Sequence, residues 1–226
     1  MIVDRMSPDD KFRELNMDSI WINSMCDGWY KKYAASLKKK RDKKVTYIDK
    51  KRYVTPNKNS VYVLFFVEKS DYNNRYNTLI WYLLFELSHR NGSTSFILYT
   101  TDLGAVTISS HAIQRMHERS GKSIFKLLEE DMISSKKGIM CWIPYNYNGN
   151  SNERICAWGD GVLLGIKLSH REYVVTTYLD SRDIHSNQMQ QSYESLVGAQ
   201  QLFEQQRDIE SLYHPKLTGT YIKCAA

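Results

Sequence analysis

The stretch RICAWGDGVLLGIKLSHREYVVTTYL, residues 154–179, decides the fold class of this 226-residue chain. It contains three apolar segments rich in β-branched and aromatic residues, which are 154–158, 162–168 and 173–179. Gly159-Asp160-Gly161 is typical of a hairpin turn, and the polar residues 169–172 form the next connection. Because neither connection contains a helix, a parallel arrangement of these strands is disfavoured, and the pattern predicts an antiparallel meander.

Further strands precede this stretch. Residues 138–145 are predicted to begin the meander, which gives it about four strands. Residues 95–101 and 105–109 form a predicted hairpin, and residues 61–67 a buried strand. The expected class is α+β, with helices at the start of the chain, an antiparallel sheet of about four or more strands, and a long helix at the end.

Helical periodicity and end signals predict the remaining elements. The predicted helices cover residues 8–22, 29–40, 71–89, 123–134 and 187–213, with one further short helix between Ser110 and Gly121. Gly28 is expected to separate the first two, and Asn91-Gly92 to end the third. We expect one domain over residues 1–226, with a soft boundary near residues 90–94.

Composition favours a globular protein in the cytoplasm. The longest apolar run, residues 78–87, is far shorter than the ~20 residues that cross a bilayer, and the first ten residues contain no apolar signal core. We therefore expect no membrane association. The four cysteines, Cys26, Cys141, Cys156 and Cys224, show no metal-ligand spacing, so we expect no metal or cofactor, and buried thiols at Cys141 and Cys156.

The positive charge of the chain is local. Residues 31–52 contain eleven Lys or Arg and two Asp, a net charge of +9, whereas the rest of the chain has a net charge of −3. The candidate nucleic-acid-binding residues are Lys38, Lys39, Lys40, Arg41, Lys43 and Lys44. Such a segment attracts RNA, another polyanion or an acidic protein partner. The alternative is a solvated helix end and loop that keep the protein soluble.

The segment SSHAIQRMHERSG, residues 109–121, carries the strongest sign of a site. Ser110 is expected to cap a short helix, and Gly121 to end it. At ~100° per residue, His111, Arg115 and Arg119 fall near one face of this helix. An imidazole beside two cations suits an anionic ligand, above all a phosphate group.

This segment resembles the HAxxRMxxR pattern of small bacterial toxin-linked domains. Those domains are related to the BrnT-like and RelE-like toxins, within the barnase, EndoU, colicin and RelE group of metal-independent ribonucleases. The resemblance covers residues 105–180, and the first 104 residues have no counterpart in it. It implies an active site that combines a helical His and Arg with a polar residue on a late strand. Here these residues are His111, Arg115 and Arg119, with Thr176 or Thr177.

Three functions follow as hypotheses. In a metal-independent ribonuclease, His111 acts as base or acid, the arginines stabilise the phosphorane, and a threonine orients a phosphate oxygen. The second hypothesis is a non-catalytic nucleic-acid- or protein-binding module, and the third a scaffold, for instance from a mobile element. In the structural alternative, His111 caps the helix and the arginines pair with Glu118, Glu129 or Glu130.

Overall fold

The computed structural model describes residues 2–3, 6–38, 46–69, 77–100, 104–135, 142–144, 152–158, 161–170 and 172–184. The helices are α1 (Pro8–Lys38), α2 (Ser110–Ser120) and α3 (Ile124–Ser135), with a short 3-10 helix at Ser181–Asp183. The first five strands are β1 (Thr46–Val54), β2 (Ser60–Lys69), β3 (Asn77–Ser88), β4 (Thr94–Thr100) and β5 (Gly104–Ile108). The others are β6 (Trp142–Pro144), β7 (Glu153–Trp158), β8 (Gly161–Ser169) and β9 (Glu172–Asp180).

The strands form one nine-stranded sheet in the order β1-β2-β3-β4-β5-β9-β8-β7-β6. All neighbours are antiparallel except β5 and β9, which run parallel. The α+β class and the antiparallel pairing of β6 to β9 are confirmed. The expected antiparallel sheet of about four or more strands is confirmed only in part, because the sheet is long and mixed: β9 pairs in parallel with a strand of the N-terminal half.

Both faces of the sheet are covered. On one face, α2 and α3 pack against apolar residues from both halves of the sheet, among them Leu84, Val106 and Val175. On the other face, α1 packs against β2 to β5 through residues such as Leu15 and Ile22. The two helical layers therefore bury alternate residues of the same strands.

The helix predicted over residues 71–89 is wrong where the structure describes it, because residues 77–88 form β3. Tyr82 and Leu84 are buried on the α2 face, and Leu83 and Phe85 on the α1 face. A strand buried on both faces has a continuous apolar sequence, which helical spacing also fits. Residues 89–93, which include the predicted helix end at Asn91-Gly92, form the turn between β3 and β4.

The break predicted at Gly28 is also wrong, because α1 is a single helix. Glycine in a helix costs about 1 kcal/mol relative to alanine, but packing on both sides of Gly28 offsets this. Cys26 is buried against the sheet, and the indole of Trp29 stacks on Phe65 with ring centroids 5.0 Å apart. α1 therefore continues across the face of the sheet.

β1 occupies part of a region for which the sequence predicted mainly polar loop. It pairs with β2 along its whole length despite three consecutive cations, Lys50, Lys51 and Arg52. An edge strand tolerates charged side chains because one side of its backbone has no neighbouring strand.

Some of the remaining predictions are confirmed, and others lie outside the described residues. The β4–β5 hairpin, α2 and α3 are present at the predicted positions to within one or two residues. Cys156 is buried as expected. The predicted helix over residues 187–213 and Cys141 lie outside the described residues. Within the described part of the chain, no helix is long and apolar enough to cross a membrane.

A buried carboxylate holds α1 to the turn between β1 and β2. Asp18 is 1% exposed and accepts hydrogen bonds from Thr55 Oγ1 at 2.7 Å, Asn57 Nδ2 at 2.8 Å and Asn59 Nδ2 at 2.6 Å. Asn59 in turn accepts the backbone N–H of Ile2 at 2.7 Å. Because every donor is directed at one carboxylate, the turn is fixed relative to α1.

We expect Asp18→Ala to lower the free energy of unfolding by about 3 kcal/mol, because three donors lose their ionised acceptor. Asp18→Asn should lose much of this stability despite its equal size, since an amide NH₂ cannot accept from these donors. Urea unfolding followed by tryptophan fluorescence measures both. The control is Asp9→Ala on the exposed side of α1, which should change stability by about 0.5 kcal/mol or less. Equal effects of Asp18→Ala and Asp9→Ala would contradict this role.

Candidate functional site

The motif helix α2 is held at both ends as its sequence suggests, with one change of cap. Ser109 rather than Ser110 is the N-cap, and its hydroxyl accepts the backbone N–H of Ala112 at 3.1 Å. Gly121 ends the helix in the left-handed conformation, with φ of 69°. Ala112 and Met116 are fully buried against the sheet, so the remaining faces of α2 are fixed in orientation.

His111 and Arg115 lie on the outer flank of α2. His111 is exposed, and Arg115 Nη1 lies 3.0 Å from a carboxylate oxygen of Glu118. Both partners of this ion pair have side chains about 40% exposed, 42% for Arg115 and 41% for Glu118. The pairing of Arg115 with Glu118 agrees with the structural alternative.

Arg119 points instead towards the sheet. Its Nη1 donates to the backbone oxygen of Tyr178 at 2.8 Å, and its Nε lies 3.7 Å from Asp183. Its own backbone oxygen accepts from Arg182 Nη2 at 3.1 Å. The hydrogen bond from Arg182 lowers the pKa of Asp180, so that carboxylate stays ionised in the same network. Arg119 thereby joins the end of α2 to the end of β9.

Thr176 and Thr177 lie on the other side of β9. Val175 and Tyr178 pack in the same cluster as α2, and a register shift in the pairing with β8 makes Thr176 the extra residue of a β-bulge. Thr176 is exposed, and its hydroxyl donates to the backbone oxygen of Leu164 at 3.1 Å. The two threonines therefore face away from α2, and the structure does not place them with His111 and Arg115 as the sequence predicted.

The candidate nucleic-acid-binding residues lie mostly beyond the described chain. Lys39, Lys40, Arg41, Lys43 and Lys44 are outside it, and Lys38 is the last residue of α1. The described ends of the basic segment are Lys31 and Lys32, both exposed on α1, and the three cations of β1. We call these five residues the basic edge.

The cations of β1 alternate between the two faces of the sheet. Lys50 Nζ lies 4.2 Å from the ring centroid of Phe125 on the α3 side, and Lys51 Nζ lies 2.8 Å from that of Trp29 on the α1 side. Arg52 lies over Tyr62 and pairs with Glu86 at 3.0 Å. Each cation therefore rests on apolar surface.

The neighbouring phenol of Tyr53 adds no charge to the basic edge. Burial, with smaller contributions from Cys26 and Asp49, raises the pKa of Tyr53 to about 12. Tyr53 therefore stays neutral at physiological pH and takes no part in the charge of the basic edge.

A cleft of about 790 Å³ lies between the β3–β4 turn and the start of α2. Its lining includes Ser95, which is buried, and His89, whose Nε2 lies 2.5 Å from Ser95 Oγ. No local signal points to this cleft, because its residues come from three separate segments that only the sheet brings together.

The described residues contain no group of three or more His, Cys, Asp or Glu side chains arranged to hold a metal ion. Comparison of the chain with protein-family models, with curated proteins and with solved structures finds no significant match.

The geometry of α2 gives Arg119 and Arg115 different expected effects on stability. Arg119→Ala should lower the free energy of unfolding by about 1–2 kcal/mol, because it removes a hydrogen bond to a partly buried carbonyl. Arg115→Ala, one turn earlier, removes only an exposed ion pair and should change stability by about 0.5 kcal/mol or less. Chemical denaturation of the two variants measures the difference. A loss for Arg115→Ala as large as that for Arg119→Ala would contradict this assignment.

Proposed function

We propose that this protein binds RNA through the basic edge and contacts the phosphate backbone rather than the bases. The observation that carries the proposal is the run Lys50-Lys51-Arg52 on an edge strand, which presents cations on both faces of the same sheet edge. Lys31 and Lys32 at the same end of α1 add two exposed cations. Clustered cations of this kind bind a polyanion and release its counterions.

The basic edge is only partly neutralised within the described chain. Arg52 pairs with Glu86, but its side chain remains 56% exposed. Lys51 lies 3.8 Å from Asp49 and remains 40% exposed. Exposed pairs of this kind contribute little stability, so phosphate oxygens can replace the carboxylates at small cost.

The aromatic rings near the basic edge favour contact with phosphate over base stacking. Trp29 stacks on Phe65, and the ammonium of Lys51 lies over its ring. Tyr62 packs against Phe125, with ring centroids 4.8 Å apart, and carries Arg52 over its ring. Because these rings are already covered, little aromatic face is left for a base, and binding should depend weakly on sequence.

The proposal includes no cleavage step. The ribonuclease hypothesis needs His111, two arginines and a threonine around one phosphate group. Arg119 is committed to Tyr178 and Asp183, and Thr176 lies on the far side of β9. His111 and Arg115 alone supply one titratable group and one cation on an open helix surface.

The cations of β1 have one competing explanation, which is protection of the edge strand from pairing with other molecules. Lysines on edge strands serve this purpose in many sheets. The two explanations differ in what the cations attract. Protection alone predicts that neutral substitutions promote self-association and leave RNA affinity unchanged.

The test is a salt titration of binding to a fluorescently labelled single-stranded RNA of mixed sequence, measured by anisotropy. We expect Lys50→Gln/Arg52→Gln to reduce the slope of log affinity against log salt by about 1.4, because each lost phosphate contact on a single strand removes about 0.7. The matched control is Arg13→Gln/Lys167→Gln, which removes the same charge from α1 and β8 away from the edge strand. Its slope should fall by much less.

A second variant tests four other lysines of the segment. Replacing Lys38, Lys39, Lys40 and Lys43 with Gln should lower affinity and slope further. The proposal fails if the wild type does not bind RNA at low salt, or if the β1 variant and its control have equal slopes. RNA cleavage that His111→Ala abolishes would replace binding alone with the ribonuclease hypothesis.

A further inference from the structure

We infer that the cleft between the β3–β4 turn and the start of α2 binds a small molecule through a phosphate monoester group. Its volume of about 790 Å³ falls within the range of roughly 300–1,000 Å³ that small-molecule sites occupy. The cleft belongs to β3, β4, β5 and α2, whereas the basic edge belongs to β1 and α1. The inference therefore does not rest on the proposed binding of RNA.

The lining of the cleft matches an oxyanion. Among the ten described residues that line it, six carry a hydroxyl group and none carries a carboxylate. Arg90 supplies a guanidinium from the exposed turn, and Asn91 an amide. Hydroxyl and guanidinium groups both donate hydrogen bonds, so they favour an anionic over a cationic ligand, and guanidinium suits phosphate in particular.

One buried hydroxyl at the cleft has no hydrogen-bond partner among the described residues. Thr107 Oγ1 is buried and makes no hydrogen bond with any described residue. Buried polar groups in folded proteins are nearly always hydrogen-bonded, and an exception calls for an explanation. Thr107 also lines the cleft, and we assign its hydroxyl as the donor of a hydrogen bond to a ligand oxygen there.

A second buried polar group stands at the same wall. Ser95 is 2% exposed and is held by His89, whose Nε2 lies 2.5 Å from its hydroxyl. The turn that carries His89 is closed by a hydrogen bond, because the backbone N–H of His89 donates to the backbone oxygen of Ser93 at 2.9 Å. These two hydrogen bonds hold the Ser95 hydroxyl and the turn in place, and a group already held loses less conformational entropy when a ligand binds.

The start of α2 adds to this arrangement. Ser109 and Ser110 line the cleft, so the positive end of the helix dipole faces it. Ser109 already accepts the N–H of Ala112, so its hydroxyl orients the first turn of α2. The dipole strengthens a site that the side chains of Thr107, Ser95 and Arg90 define.

The experiment is isothermal titration calorimetry of the full chain with ribose 5-phosphate, with ribose as the unphosphorylated control and inorganic phosphate as competitor. We expect saturable binding of ribose 5-phosphate, competition by inorganic phosphate, and no binding of ribose. Thr107→Val and Arg90→Gln should each weaken binding about tenfold or more, as expected for loss of a hydrogen bond to a charged group. Arg115→Gln, which lies on α2 outside the cleft lining, should bind as the wild type does.

Thr107→Val separates a ligand role from a structural one. Because the hydroxyl makes no hydrogen bond with the described part of the chain, this near-isosteric variant should unfold at the same temperature as the wild type. If it is destabilised, Arg90→Gln in the exposed turn decides the question alone. The Lys50→Gln/Arg52→Gln variant should keep full affinity for ribose 5-phosphate, so failure of RNA binding and failure of this inference remain distinguishable. The inference is overturned if the wild type gives no saturable heat, if ribose binds equally well, or if Arg90→Gln binds without loss.

Discussion

The parallel pairing of β5 with β9 is the interaction on which the rest of the structure depends. It joins two antiparallel meanders, β1 to β5 and β6 to β9, into one sheet, with Ala105 opposite Glu172 and Ile108 opposite Val175. The backbone N–H of Ser109 donates to Val175 at 3.3 Å and extends the pairing to the start of α2. Parallel strands require a long crossover connection, and here α2, α3 and β6 to β8 all lie within it.

The pairing of β5 with β9 explains why α2 has a structural role. α2 starts where β5 ends and lies over β9, so Arg119 reaches the carbonyl of Tyr178. His111 and Arg115 are left on the outer flank, and the bulge in β9 turns Thr176 and its neighbour to the opposite face. The residues of the ribonuclease-like pattern are thereby divided by the sheet itself.

The packing of α1 on the opposite face of the sheet determines where the positive charge of residues 31–52 lies. Near the start of α1, Lys11 pairs with Glu172 of β9 at 2.9 Å. About five turns later, Trp29 packs against β1 and β2. The Asp18 network fixes this course. The lysine-rich end of α1 therefore arrives beside the cations of β1 at the edge of the sheet. The cleft is more enclosed than this open surface. The strands that carry Ser95 and Thr107 are paired in the sheet, and Ser95 is buried.

By itself the sequence determined the features that depend on neighbouring residues. The end of α2 at Gly121, the hairpin of β4 and β5, and the strands on either side of residues 159–160 follow from turn chemistry and alternation. These signals act over a few residues, so they survive without knowledge of the rest of the chain. The charge of residues 31–52 is likewise visible in the sequence alone.

Only the tertiary structure decided the features that depend on distant partners. The apolar run of β3 fits a helix as well as a strand, and burial between two helical layers selects the strand. Packing on both sides of Gly28 keeps α1 continuous. The side of β9 that bears Thr176 depends on a bulge formed with β8, and the cleft on segments joined through the sheet. Each choice is made by hydrogen bonds and apolar contacts between residues far apart in the chain, which local sequence patterns do not encode.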